Sequence, residues 1–313
     1  MQLFKTPNID FVSKRRGAYV FSGALLLIGI VFLVINGGLN LGIDFKGGTE
    51  LVFKFEDEIT TNQLRNVMAG AGLGNSQIRH FGMSNEFLIY VEQQEAGSVV
   101  EIENEVKKAL EEQLDTSFVL RKADNVGPKV GEELRSAAIM AIAFALLIIL
   151  VYISWRFELI FALGAIAALF HDVLITLGIY NSLNFEISLK EIAAFLTIVG
   201  YSLNDTIVLY DRIRENFKVM RSDDLKTIIN KSINQVLSRT VITSLTTFFV
   251  IFILFLFGGE VIRGFSFAML IGVLVGTFSS VFVASSLILD WQLKHGGKQG
   301  LKMSKKKKRS RRR

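Results

Sequence analysis

Six stretches of this chain are apolar over the length of a bilayer crossing. A transmembrane helix needs about 20 mainly apolar residues to cross a hydrocarbon core of roughly 30 Å. The runs Tyr19–Ile35, Ser136–Ile153, Leu159–Ile179, Ile187–Leu209, Val241–Phe257 and Gly264–Leu289 fit that requirement. Only Ser154 to Glu158 join the second run to the third, which forces an antiparallel hairpin, and Trp155 and Phe157 there suit a membrane interface. Gly258-Gly259-Glu260 and a few residues more make a second hairpin of the fifth and sixth runs. Lys14, Arg15 and Arg16 precede the first run as they would in a signal peptide. That run is longer than an ordinary h-region, however, and no A-x-A-like site follows it, so it reads as an uncleaved anchor.

Between the first and second runs the pattern changes. Glu50 to Glu56 alternates polar and apolar residues, the period of a half-buried strand. Thr61 to Gly72 places Leu64, Val67, Met68 and Ala71 at helical spacing. Gln77–Phe81 and Phe87–Val91 are strand-like, with Gly82 to Asn85 as the turn between them. Val99 to Leu114 carries Val99, Ile102, Val106, Leu110 and Leu114 on one helical face. A last strand starts at Phe118–Leu120 and ends before Gly127-Pro128. The order β-α-β-β-α-β is the ferredoxin-like arrangement, which by itself fixes no function. The fold class is therefore a polytopic α-helical membrane protein: six transmembrane helices plus a small α+β ferredoxin-like domain between helices one and two.

Charge adds an orientation. The 313 residues are 50% hydrophobic and 20% charged with a net charge of +6, and the mean hydropathy of +0.42 fits concentrated apolar spans. Basic residues gather before the first span, in the loop after the fourth (Arg212, Arg214, Lys218, Arg221, Lys226, Lys231) and in the tail after the sixth. The positive-inside rule then puts both termini in the cytoplasm and the long segment outside. That segment, with 17 acidic and 10 basic residues, carries −7. The expected division is 1–17 cytoplasmic N-terminus, 18–35 first helix, 36–135 external α+β domain, 136–290 helices two to six, and 291–313 basic cytoplasmic tail. The chain has no cysteine, so disulfides, thiolate nucleophiles and Cys-ligated metals are excluded.

Candidate chemistry lies where a lipid-facing helix tolerates no charge. A charged side chain at mid-membrane costs at least roughly 2.5 to 3.5 kcal/mol, so such residues face a bundle interior. The fourth span holds Ser202, Asn204 and Asp205 and ends near Asp211-Arg212, the fifth opens on Ser238-Arg239-Thr240 followed by Thr243, and the third carries His171-Asp172. From the 1.5 Å rise per residue, Asp205 lies about 9 Å from the cytoplasmic boundary and Arg239 about 5 to 8 Å inside it. Similar depth on consecutive helices allows an Asp–Arg pair, either a permanent bridge that fixes packing or one that breaks when the aspartate takes a proton. Asp211 and Arg212 read as interfacial topology and capping charges. His171-Asp172 could relay protons or serve as a hydrogen-bonded packing pair. Gly272, Gly276 and Ser280 recur every four residues in the sixth span, a spacing for close helix contact.

Other motifs are weak. The run 41–49, with Gly42, Asp44, Gly47 and Gly48, is Gly-rich, but it lacks the spacing of a phosphate loop and reads as a tight exit from the membrane. There is no H-E-x-x-H or G-x-S-x-G, and the three histidines are scattered, so no enzyme activity, metal or cofactor is expected. An intramembrane aspartyl protease would need a second aspartate in a Gly-flanked site, and none faces Asp205 or Asp211 in the pattern. The terminal run 305–313 has eight basic residues in nine. It reads as a solvated tail touching anionic lipid at about 1 kcal/mol per charge, with nothing beyond charge to favour nucleic acid.

Several segments together resemble the bacterial SecF family: 41–49, His171-Asp172-Val173, 200–216, 237–244 and 257–272. The likeness spans residues 15 to 290, and the run G-Y-S-L-N-D-T-I-V-L-Y-D-R-I-R-E-N at 200–216 is its most specific part. The resemblance implies a six-helix member of the resistance-nodulation-division superfamily, in the inner membrane, with the α+β domain periplasmic. It implies SecD as partner, the SecYEG channel and SecA as associates, an exported polypeptide as cargo, and the proton motive force as the drive. The family's carboxylate falls on Asp205 and its arginine on Arg239, while Asn204, Ser202 and Thr243 would line a wet path and His171, Asp172 and Asp211 rank behind. The basic tail departs from the family pattern. A self-contained exporter of small molecules or lipids from the same superfamily is the alternative.

Overall fold

Six long helices arise where the apolar runs lie, and the computed structural model describes residues 7–92, 99–220 and 222–295. The helices that cross are α1 (Arg15–Ile35), α5 (Pro128–Arg156), α6 (Leu159–Ser182), α7 (Leu189–Val219), α8 (Leu225–Phe257) and α9 (Glu260–Ser279), the last continued by a π-helical turn (Ser280–Ala284) and α10 (Ser285–His295). Burial sorts them into two layers. The apolar windows of α6, α7 and the last span are 56%, 50% and 61% buried, against 17%, 11% and 17% for α1, α5 and α8. The inner three pack through small residues. A Cβ on Gly272 would lie 2.4 Å from the Ile198 side chain on α7, and one on Gly276 would lie 3.0 Å from Ser202 Cβ. The spacing of small residues in the sixth span is thus a packing seam. At the crossing of α1 and α6 the backbones of Gly29 and Gly178 meet as closely, with a Cβ on Gly29 falling 2.9 Å from Gly178 Cα.

The remaining elements are α2 (Ile43–Lys46), β1 (Gly48–Phe55), α3 (Thr61–Gly70), β2 (Gln77–Phe81), β3 (Met83–Val91), α4 (Val99–Gln113) and β4 (Phe118–Val126). The strands form one antiparallel sheet in the order β2-β3-β1-β4, the ferredoxin-like topology expected from the sequence. Leu51, Phe53, Phe55, Phe87 and Ile89 on one face meet Leu64, Val67 and Met68 of α3 and Val106 and Leu110 of α4. The helix α3 starts at a capping box, Thr60 with Gln63. On the other face Val52, Leu88 and Tyr90 pack on Ile43 of α2, which turns the sheet toward the helical bundle.

Four features differ from the pattern-based expectation. The strand β3 begins at Met83 rather than Phe87, so most of the turn expected over Gly82 to Asn85 is strand, paired with β2 directly across Gly82. Pro128 opens α5 as its first helical residue, two turns before the apolar run, because a proline there needs no backbone donor. Helix α8 opens behind Asp224, so the segment expected as a basic loop is mostly helix: Arg212, Arg214 and Lys218 lie on α7, and Lys226 and Lys231 on α8. Hydropathy alone marks polar helical turns as loops, which explains the error. The π turn at Ser280–Ala284 has no signature in the periodicity. The basic run 305–313 lies outside the described residues.

Candidate functional site

Helix α6 buries His171 and Asp172 against α7 and α9. Asp172 is fully enclosed, and both of its oxygens are engaged: His171 Nδ1 lies 2.8 Å from Oδ1, and the Ser202 hydroxyl donates to Oδ2 over 2.5 Å. His171 Nε2 is buried without a partner among the described residues. Ser202 is thus tied to Asp172 on α6 rather than to the residues of α8.

Three residues further along α7, Asp205 is 5% exposed. Ser244 of α8 reaches it with a hydrogen bond, and Thr277 Oγ1 of α9 stands 2.7 Å behind Ser244 Oγ. Asp205 Oδ2 is buried and, among the described residues, has no hydrogen-bond partner. An orphaned oxygen is costly in a low-dielectric interior, so the group is not satisfied as an ordinary structural carboxylate would be. Arg239 acts on Asp205 electrostatically, yet among the described residues the two form no ion pair, and Arg239 lies exposed on α8. The permanent bridge expected as one possibility is therefore not the arrangement in this structure. Asn204 is exposed on α7, pointing away from Asp205's buried side. Thr243 is half-buried, and its hydroxyl returns to the carbonyls of Arg239 and Thr240, 3.0 Å from each. Asp211 pairs with Arg156 at 2.9 Å, both more than 40% exposed, as an interfacial ion pair. Among the described residues no group of three His, Asp or Glu side chains could hold a metal ion.

The Gly-rich run is built into the start of α7. Gly42 N–H donates to Ile187 O, and Ile187 N–H donates to Asn40 O, each over 2.8 Å. Asp44 Oδ2 accepts the Leu189 N–H at 2.9 Å, which satisfies a free donor at the helix N-terminus. Gly47 and Gly48 have φ of +74° and +120°, and a Cβ on either would strike Pro128 or the Tyr90 ring. Tyr90 Oη donates to Gly47 O over 2.8 Å. The run thus joins the α+β domain to the helix that carries Asp205. A cleft of about 290 Å³ lies beside this splice, lined by Glu50, Arg79, Glu186 and Lys190 among others. Arg79 bridges Glu50, at 3.5 Å, to Glu186 of the bundle. Burial, and then the neighbouring Glu186 charge, push the Glu50 carboxyl up to about 6. Sequence patterning held no sign of these contacts, and the one between Arg79 and Glu186 joins residues 107 positions apart.

Six apolar helices and a small α+β domain define a multi-pass membrane protein, with ionisable residues inside the bundle of the kind that mark transport pathways. Comparison with known proteins narrows the class. Residues 105–294 match the family described as protein export membrane protein SecD/SecF, C-terminal, and residues 32–59 match the SecD/SecF GG motif. The chain belongs to the SecD/SecF family of protein-export membrane proteins. It is 45% identical to the protein translocase subunit SecF of Calditerrivibrio nitroreducens, over 92% of this chain and 96% of that one. The crystal structure of SecDF from Thermus thermophilus, a translocon-associated membrane protein, superposes with a TM-score of 0.83 at 36% identity, covering 93% of this chain. SecDF in its super-membrane-facing form gives 0.68 at 37% identity, over 94% of this chain. The chain spans 40% of the length of both SecDF chains.

Proposed function

We propose that this chain is the SecF half of a SecD–SecF pair in the inner membrane that uses the proton motive force to draw exported polypeptide through SecYEG after SecA has acted. Its termini are cytoplasmic and its α+β domain periplasmic. The observation that carries this reading is Asp205, a carboxylate inside the helical bundle with one oxygen unpartnered and a guanidinium near but not bonded. Such a group takes up and releases a proton without breaking a packed network. Arg239 then serves as the counter-charge, drawn in when Asp205 is ionised and released when it is neutral.

Asn204 and Arg239 are exposed on neighbouring helices, on a face that a second six-helix half would cover. The match of 93% of this chain to 40% of a SecDF chain supports that assembly. Ser202 and Thr243, held by Asp172 and by α8 carbonyls, line the approach without bonding Asp205. His171 and Asp172 brace α6 against α7. The splice from Gly42 and Asp44 to α7 is the route by which a change at Asp205 would move the external domain. The basic tail contacts anionic lipid as a topology anchor.

Neutralising both charges tests the reading against a purely structural one. In the assembled complex, Asp205→Asn with Arg239→Gln removes the charge imbalance but also the titrating group. Gradient-driven export should remain abolished in the double variant. Recovery to the wild-type rate would reduce the two residues to packing charges.

A further inference from the structure

Helix α5 is only 11% buried along its apolar window, and a groove runs between it, α6 and α7. The groove holds about 530 Å³, within the range of ligand pockets. Every lining side chain is apolar except one, Arg135 at the end nearest the α+β domain. Arg135 is exposed and, among the described residues, forms no ion pair. It immediately precedes the apolar part of α5, so its guanidinium sits at the level of the polar headgroups.

The dimensions select an occupant. From Arg135 to Leu146, the deepest α5 residue in the lining, is about 16 Å at 1.5 Å per residue. That is close to half of a hydrocarbon core of roughly 30 Å, the depth of one leaflet. A transmembrane helix is a rod about 10 Å across that cannot change its width to follow the lining. An unfolded polypeptide would bring backbone donors and acceptors that the lining, apolar but for Arg135, cannot satisfy. Flexible acyl chains need neither the width nor the hydrogen bonds. A guanidinium matches a phosphate by charge and by its forked donors.

We propose that this groove is a glycerophospholipid site in the leaflet on the side of the α+β domain, with the lipid phosphate on Arg135 and an acyl chain between α5 and α6. A bound lipid there would fill the gap behind α7 and set how far α5 can close on the bundle.

Native mass spectrometry of the full chain, delipidated and then mixed with dioleoyl phosphatidylglycerol or with dioleoylglycerol, tests the site. The wild type should retain one phosphatidylglycerol per chain and bind dioleoylglycerol, which lacks the phosphate, at least tenfold more weakly. Arg135→Gln, at an exposed position that does not affect folding, should remove that preference. Ala138→Trp, which fills the groove beside it, should lose both lipids. Equal retention of the two lipids by the wild type, or an unchanged preference in Arg135→Gln, would overturn the proposal. A photo-reactive residue at Ile139, exposed in the lining, should cross-link to phospholipid in membranes. A cross-link to a partner polypeptide alone would likewise overturn it.

Discussion

Two carboxylates lie inside the helical bundle, Asp172 on α6 and Asp205 on α7, and their surroundings differ. Both oxygens of Asp172 are taken, one by His171 and one by Ser202, and no solvent reaches it. Asp205 leaves Oδ2 unpartnered, and the guanidinium that could neutralise it stands exposed on α8. A fully bonded carboxylate is a strut, because changing its charge costs the whole network around it. A partly bonded one can change its proton at little structural cost. Burial in an apolar helix therefore does not by itself mark a working group. On the proposed reading, it is the unsatisfied oxygen of a carboxylate that sets Asp205 apart from Asp172.

The largest expected effect tests the strut. Asp172→Ala leaves His171 Nδ1 and the Ser202 hydroxyl without their acceptor, and each stranded group costs about 1–3 kcal/mol. The loss of stability should therefore be about 2–6 kcal/mol, read from denaturant unfolding of the purified protein. Asp205→Asn in the same assay should cost less than about 1 kcal/mol, since the amide keeps an oxygen that can accept from Ser244. Similar losses at the two positions would erase the distinction.

A third carboxylate sharpens the comparison from outside the bundle. Glu50 faces Glu186 across the cleft, with Arg79, Lys122 and Asp124 around it, and its carboxyl is held up to about 6 against an ordinary 4.5. The docked domain therefore binds the Glu50 proton more tightly than a released one. Docking is favoured at low pH, and that contribution is lost as pH rises from about 4.5 through about 6. The difference is worth up to about 2 kcal/mol. Hydrogen-exchange protection at the sheet face on α2, taken relative to the intrinsic exchange rate at each pH, should rise between pH 7 and pH 5, and Glu50→Gln should flatten that rise. An unchanged pH response in Glu50→Gln would assign it elsewhere.

The smallest effect belongs to the surface pair. Asp211 and Arg156 are 42% and 46% exposed, so Arg156→Ala should cost less than about 1 kcal/mol and leave export unaffected. A larger loss would mean that interfacial pairs at this end of the bundle also carry the packing.

The six crossings and the order of the sheet were legible because hydrophobic periodicity reports burial against lipid or core. Asp205 was legible for the same reason in reverse, as a charge where the pattern forbids one. Helix rise alone placed Arg239 within reach of it, and Arg239 does act on it electrostatically. Side-chain direction did not follow. Ser202 and Asp205 sit three residues apart on α7 yet bond to different helices, and nothing in the run 200–206 separates their roles. The contacts of Asp44 with Leu189 and of Arg79 with Glu186 bring together residues distant in the chain, beyond any local pattern. The Gly-rich run was read as a tight exit from the membrane. The tightness is there, with φ positive at Gly47 and Gly48, but its attachment to α7 became visible only in three dimensions.

The most direct test compares Asp205→Asn with Asp172→Asn in inverted membrane vesicles at matched levels of assembled complex. The quantity to measure is the increase in polypeptide translocation on imposing a proton gradient. Asp205→Asn should abolish that increase while leaving complex stability intact, whereas Asp172→Asn should lower stability and keep the increase in whatever complex remains folded. A wild-type response in Asp205→Asn would contradict the role of Asp205 as the working carboxylate.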